Sequence, residues 1–334
     1  MQRQELIEKF LTGAGWQAAV RAPLAGDASN RRYERLDHAE FGAGVLMDAP
    51  PEKGEDVRPF AAITDLLRGA GLSAPRILAS DPEKGFLLLE DLGDDLLVRV
   101  CARQPALEST LYEACVDLLA NFHTQVSPPE NLKPYDLDTY LREVALVTDW
   151  YLPGATGHAP EEDTVKTYLN LLKDICNPLA KTRTAIVLRD YHAENLLWLP
   201  DRKGDARIGL LDYQDALAGH PAYDLVSLLE DARRDTSPAL QEAMLARYIA
   251  ASTCEENDFR RAYATLGAQR NLKILGIFAR LCRRDGKPAY LAHMPRVWAH
   301  LMHDLEHPAL ADLKAWVLAN MPAPDAGIQA RIAA

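Results

Sequence analysis

Between residues 17 and 90 apolar and polar positions alternate in short runs, each bounded by Gly, Pro or Asp. Runs of that kind read as strands of an antiparallel sheet, and they predict five, at 17–24, 32–37, 43–48, 76–80 and 85–90. One interruption has a different period. Val57, Phe60, Ile63, Leu66 and Leu67 recur at helical spacing and Gly69-Ala70-Gly71 closes the run, so one helix is inserted between the third and fourth strands.

After Gly93 the texture is helical, with periodic stretches at 107–126, 137–151, 161–176, 238–251, 258–281, 290–305 and 309–320. In the first of these Leu111, Cys115, Leu118, Leu119 and Phe122 form one apolar face, the mark of a core helix. Three brief apolar strands, at 185–188, 195–199 and 208–212, interrupt the helices and serve to hold loops. No repeat of 20 to 50 residues is visible. The pattern predicts an α+β protein of two lobes. Residues 1–92 form a small antiparallel sheet plus helix, 93–322 form a larger, mainly helical lobe, and the small residues of 323–334 read as a flexible tail.

A chain of 334 residues exceeds the size at which one hydrophobic core keeps growing, which agrees with two lobes. Lys and Arg number 37 against 48 Asp and Glu, a net charge of −11; nucleic acid and anionic membranes are disfavoured as partners. The N-terminus has no apolar leader and no stretch is long enough to span a bilayer, so a cytoplasmic location is expected. Cys101, Cys115, Cys176, Cys254 and Cys282 show no C-x-x-C spacing and read as reduced packing residues.

The chemistry concentrates late in the chain. In LRDYHAENLLW an Asp at 190 precedes an Asn at 195 between two apolar strands, so one tight loop can present a carboxylate to a substrate hydroxyl and an amide oxygen to a metal. Seventeen residues after Asn195, Asp212 ends the strand IGLLD, where burial is costly unless a cation is its partner. In GHPAYDL, Asp224 lies in the first turn of an apolar helix, where it can accept backbone N–H bonds from the loop or favour the helix N-terminus.

The order LRDYHAENLLW, LLDYQDA, GHPAYDL resembles the aminoglycoside phosphotransferase family of the protein-kinase-like superfamily, over nearly the whole chain. Within it, GDASNRRYERL, VLMDAPPEKGEDVRPF, FLLLEDLGD and RNLKILGIFARLCRRDGKPAYL are similar to the anomeric amino-sugar kinases of bacterial cell-wall recycling. The resemblance implies a bilobal kinase-like fold, ATP and Mg2+ as cofactors, and a small-molecule sugar as acceptor. It implies Asp190 as catalytic residue, Asn195 and Asp212 as magnesium ligands and Asp224 as a structural brace. It also implies backbone contacts of Glu90 and Leu92 to adenine, and a phosphate-covering turn from Gly26 through Ser29 to Asn30.

Two departures accompany the resemblance. Leu188 stands where the family has His, and Met47 and Phe60 stand where kinases keep a Lys–Glu pair. Joint loss of both partners leaves no unpaired buried charge, but the phosphates then need another cation. Arg31 and Arg32 are nearest in sequence, and alternation along a strand allows only one of them to face the cleft; Arg32 is favoured as lying further inside the strand.

Blander readings stand beside these. Arg189 is either an electrostatic group of the catalytic loop or a surface residue. His192 reads as solvent-facing. Glu143 is a candidate sugar contact, His123 a candidate acceptor contact or a packed histidine, and Arg280, with Arg283, Arg284 and Lys287, either holds an anionic substrate group or is a solvated helix end. An aminoglycoside or choline-like acceptor, and a nucleotide-binding regulatory module with impaired chemistry, remain open as alternatives.

Overall fold

A computed structural model of the protein describes residues 3–24 and 30–334. Among them nine strands occur: β1 (Val20–Leu24), β2 (Arg32–His38), β3 (Gly42–Asp48), β4 (Ile77–Asp81), β5 (Phe86–Glu90), β6 (Ala185–Val187), β7 (Leu196–Trp198), β8 (Ile208–Leu210) and β9 (Leu217–Gly219). The chain divides into two compact units, Met1–Ala114 with Glu194–Asp215, and Cys115–Ala193 with Ala216–Ala334. No helix among the described residues is long and apolar enough to cross a membrane.

In the first unit β1 to β5 form one antiparallel sheet in the order β1-β2-β3-β5-β4. The helix Arg58–Gly69 is inserted between β3 and β4, as its spacing predicts. Leu36, Leu46, Phe86 and Leu88 bury one side of the sheet together with Trp16 and with Ile7 and Leu11 of the helix Arg3–Gly13. The turn into β5 needs a glycine: Gly85 has φ 71°, and a Cβ there would lie 1.9 Å from the Ala49 carbonyl oxygen.

β7 and β8 make an antiparallel ribbon, Leu196 opposite Leu210, within the same unit. Leu210 N–H donates to the Ser73 carbonyl at 2.9 Å, Ser73 Oγ donates to the Ala206 carbonyl at 2.6 Å, and Arg202 pairs with Glu90 at 2.9 Å. These bonds group 194–215 with the sheet, whereas a boundary at residue 92 assigns them to the helical lobe.

The second unit is built on the helix Glu256–Asp285, which packs against Leu137–Leu146 and Met294–Asp304. Gly276 permits that approach, since a Cβ would lie 2.5 Å from the Leu146 backbone. β6 pairs with β9. The flexible tail expected at 323–334 is corrected: Ala326–Ala333 is a helix, capped by Asp325, whose carboxylate accepts the Ile328 N–H at 2.8 Å. Ile328 and Ile332, one turn apart, are buried in the core, and that burial orders the segment. All five cysteines are free thiols, and four are buried.

Candidate active site

In the second unit β6 is fully buried and delivers the chain to Leu188, which is 2% exposed and takes a packing role. Arg189 then adopts φ 71°, a left-handed conformation that a long side chain takes only when its surroundings enforce it. The enforcement is visible. Asp224, in the first turn of the helix Ala222–Leu229, accepts the Leu188 N–H at 2.7 Å and the Arg189 N–H at 2.8 Å, and Ser227 Oγ donates to the Arg189 carbonyl at 3.0 Å. Burial pushes the Asp224 carboxyl up to about 7, against the pull of the two amides. Asp190 follows, half-buried, with its N–H bonded to the Leu188 carbonyl.

The Arg189 side chain is anchored as firmly as its backbone. Its Nη2 donates to Glu143 Oε1 at 2.5 Å, and Lys273 Nζ lies 3.0 Å from the same oxygen. Glu143 Oε2 accepts from Tyr135 Oη at 2.5 Å and from Gln269 Nε2 at 3.0 Å. Burial alone would raise the Glu143 carboxyl, but Lys273, Arg189 and the two neutral donors hold it at about 2. Both of its oxygens are thus engaged, and Glu143, the candidate sugar contact, anchors Arg189 at the wall of a cleft. A cleft of about 570 Å³ opens beside it, lined by Lys133, Asp136, Thr139, Arg142, Glu143 and Arg189.

In the first unit the ribbon brings two oxygen donors to one end. Leu211 N–H donates to the Asn195 carbonyl at 2.9 Å, so Asn195 and Asp212 leave the ends of β7 and β8 beside each other. Asp212 has φ 56°, tolerable for an Asp, and Oδ1 accepts from Gln214 Nε2 at 2.9 Å. The next residue fixes the turn: Tyr213 stacks on Phe60 at 4.9 Å and bonds Thr64 Oγ1 at 2.7 Å. The helix that lacks the kinase Glu therefore grips this turn through an aromatic ring and a hydroxyl. Hard oxygen donors of this kind would suit magnesium; among the described residues no group of three or more His, Cys, Asp and Glu is gathered as a cage.

Arg31, rather than the favoured Arg32, is the arginine turned towards this turn. Arg31 Nη1 lies 3.5 Å from Asp212 Oδ1 and Nε lies 3.3 Å from Glu55, whereas Arg32 is exposed. Burial works to lower the Arg31 pKa, but Tyr33, Asp212 and Glu55 raise it overall, so the cation is permanent. Met47 is 1% exposed and Phe60 4%, core residues as their types suggest. Glu90 ends β5, but its N–H is bonded to the Arg76 carbonyl at 2.8 Å and its carboxylate to Arg202, so the N–H is not open to an adenine edge. Leu92 lies against Gly209. Gly26 and Ser29 lie outside the described residues.

Of the two readings of His123, its surroundings are those of a packed histidine: Nδ1 lies 2.9 Å from Tyr248 Oη and Nε2 3.9 Å from Asp224. Burial holds its pKa down at about 3, so the ring stays neutral. His192 is buried, 5% exposed, and not solvent-facing. Arg280 is absent from the cleft lining and half-buried; burial, then Arg284, lowers its pKa, and its electrostatic partner is Asp285. Sequence reasoning missed Tyr135, Ser227, Gln269 and Lys273. Their one signal was spacing, Ser227 three residues after Asp224 and Lys273 four after Gln269 on one helix face.

A family model described as the phosphotransferase enzyme family matches residues 20–265. A Caulobacter vibrioides protein named N-acetylmuramate/N-acetylglucosamine kinase is 38% identical, over 94% of this chain and 96% of its own. A Pseudomonas aeruginosa protein of the same name is 37% identical, over 95% and 94%. Among solved structures, the choline kinase LicA from Streptococcus pneumoniae is similar in fold, with a TM-score of 0.61 at 13% identity over 92% of this chain and 98% of that one. The ADP-bound aminoglycoside phosphotransferase APH(2'')-Ib gives a TM-score of 0.62 at 12% identity, over 89% and 96%.

Proposed function

Because this chain belongs to the phosphotransferase enzyme family, we propose that it transfers the γ-phosphoryl group of ATP to the anomeric hydroxyl of an N-acetylated amino sugar, N-acetylmuramate or N-acetylglucosamine. The observation that carries the reading is the Asp224 brace, which forces Arg189 into a left-handed turn and so fixes the direction from which Asp190 is presented. The acceptors come from relatives that are 32–38% identical over most of their length.

In this reading residues 1–92, with the β7–β8 ribbon, hold the nucleotide, and the helical remainder holds the acceptor. Asp190 orients the hydroxyl and accepts its proton as the new P–O bond forms and the bond between the β- and γ-phosphates breaks. Arg189 and Lys273, tied to Glu143, keep positive charge near that carboxylate. Asn195 and Asp212 would hold Mg2+, which would supply charge neutralisation of the phosphates. Arg31 stands in for the missing lysine, and the Glu90 carbonyl and Leu92 backbone meet the adenine.

Two variants test the division of labour. Asp190→Asn is expected to lower kcat at least about a hundredfold with little change in nucleotide affinity. Asp212→Ala is expected to weaken magnesium-dependent nucleotide binding in calorimetry. Near-normal turnover in the first variant removes Asp190 from the mechanism, and unchanged Mg·ATP affinity in the second removes Asp212 as a ligand.

A further inference from the structure

Three helices of the second unit meet at a pair of carboxyl groups. Glu230 caps the C-terminal end of Ala222–Leu229, the helix whose first turn carries Asp224, and Asp304 ends the helix Met294–Asp304. Both helices pack against the long helix Glu256–Asp285. Glu230 is 1% exposed and Asp304 2%, and the two side chains are hydrogen-bonded to each other. Asn271 bridges them from the long helix: its Nδ2 donates to Glu230 Oε2 at 2.7 Å and to Asp304 Oδ2 at 3.0 Å. The close approach is built into the backbone, because a Cβ at Gly267 would lie 2.5 Å from Asp304 Oδ1.

The neighbours are poorly placed to neutralise two anions. Arg270 faces Glu230, but its Nη2 is committed to Ser227 Oγ at 2.9 Å. Tyr263 faces both carboxyls and stays a neutral phenol, its pKa raised well above the ordinary value by burial and then by Glu230 and Asp304. Asp231, the next residue, is turned to the Arg233 N–H. Glu230 Oε1 is buried and finds no N–H donor. Two ionised carboxylates in contact away from water would keep two desolvated charges that repel each other. A carboxylic acid donating to a carboxylate removes one charge and supplies the missing donor.

We propose that Glu230 and Asp304 share one proton, and that this proton is a pH-sensitive lock fastening the end of the Asp224 helix to Met294–Asp304 and to the long helix. The lock is a property of the folded chain and stands whether or not the reaction proposed above is correct. Burial raises both carboxyls, Glu230 from an ordinary 4.5 to about 7. The folded chain thus keeps a proton that the unfolded chain releases. Its contribution to stability is complete below pH 4.5 and is lost as pH rises through 7.

The test is urea unfolding of the full chain from pH 5 to pH 9. Asp304→Asn replaces the shared proton by an amide N–H that does not titrate. Between pH 5 and pH 7 the folding equilibrium constant of wild-type protein should fall about tenfold per pH unit relative to that of Asp304→Asn. Glu230→Gln, the mirror change, should flatten the profile in the same way, whereas Asp304→Ala, which supplies no donor, should be less stable than Asp304→Asn throughout. Asp224 titrates in all four proteins and cancels in these differences. A difference infrared spectrum, wild type minus Asp304→Asn at pH 6, should show a protonated carboxyl band that fades as the pH is raised. Parallel pH profiles for wild type and the two amide variants, or no such band, overturn the proposal. So does failure of both amide variants to fold, since an N–H in place of the proton should be tolerated.

Discussion

The two units hold their candidate residues in opposite ways. In the second unit, Asp224 is completely buried and spends both carboxylate oxygens on the loop backbone, while both Glu143 oxygens are taken up by charged and neutral donors. In the first unit, Asp212 keeps 24% of its side-chain surface exposed and meets Arg31 across a longer 3.5 Å contact. A buried, saturated carboxylate fixes geometry and is costly to disturb. A half-exposed one can exchange partners cheaply, which suits a group that meets an incoming ligand. Under the proposed function the contrast divides frame from binding surface: the frame would present Asp190, and the exchangeable turn would receive the nucleotide.

The strongest way to break that contrast is to remove Glu143. Glu143→Ala would leave Lys273 and Arg189 facing each other without their shared anion, and a broken buried pair typically costs about 3–5 kcal/mol. Denaturant unfolding should register a loss of that order, with Glu143→Gln intermediate. A loss below about 1 kcal/mol would mean that Glu143 is no anchor. On the exchangeable side the expected effect is smaller and functional rather than structural. Arg31→Ala should lower kcat/KM for ATP about tenfold or more, in line with a charged hydrogen bond of about 1.5–3 kcal/mol, while Arg32→Ala changes it less than about threefold. Equal effects would move the phosphate-facing cation elsewhere.

How far each region could be read in the sequence follows from the same physics. The five strands and the helix Arg58–Gly69 were legible because period-two and helical spacing write a buried face directly into the residue order. The loop from Leu188 to Asn195 was legible as a motif with Asp212 and Asp224. The helix Arg3–Gly13 was not, since it buries only Ile7 and Leu11 in a polar run, nor was Ala326–Ala333, with Ile328 and Ile332 among small residues. The Glu143 anchor was illegible because its partners come from 46 and 126 residues away, and no local period records such pairs. Strand alternation could not choose between Arg31 and Arg32 because β2 begins at Arg32, leaving Arg31 outside the regular strand.

A further expected effect, of about the size of the Arg31 one, is a pH dependence of the frame, and it pairs two neighbours with opposite signs. His123 Nε2 lies 3.9 Å from Asp224 Oδ2. The His123 pKa is held at about 3 by burial, below the ordinary 6.5, so on acidification the unfolded chain takes up a proton that the folded one refuses. Its contribution to stability is present above pH 6.5 and is lost as pH falls. Asp224 is raised to about 7, so the folded protein keeps a proton that the unfolded chain releases above pH 3.8; its contribution is present at low pH and is lost as pH rises through 7. Between pH 7 and pH 5 wild-type protein should therefore lose stability relative to His123→Gln, by about 2 kcal/mol at 1.36 kcal/mol per unit of pH below 6.5, and gain relative to Asp224→Asn. The first unit adds nothing in this window through Asp81 and Asp94, whose carboxyls lie below 3.8, held there chiefly by Lys84 and Arg35. Urea unfolding of the three proteins at pH 7 and pH 5 checks both signs, and slopes of the same sign for the two variants would show that the buried pair does not titrate as its surroundings dictate.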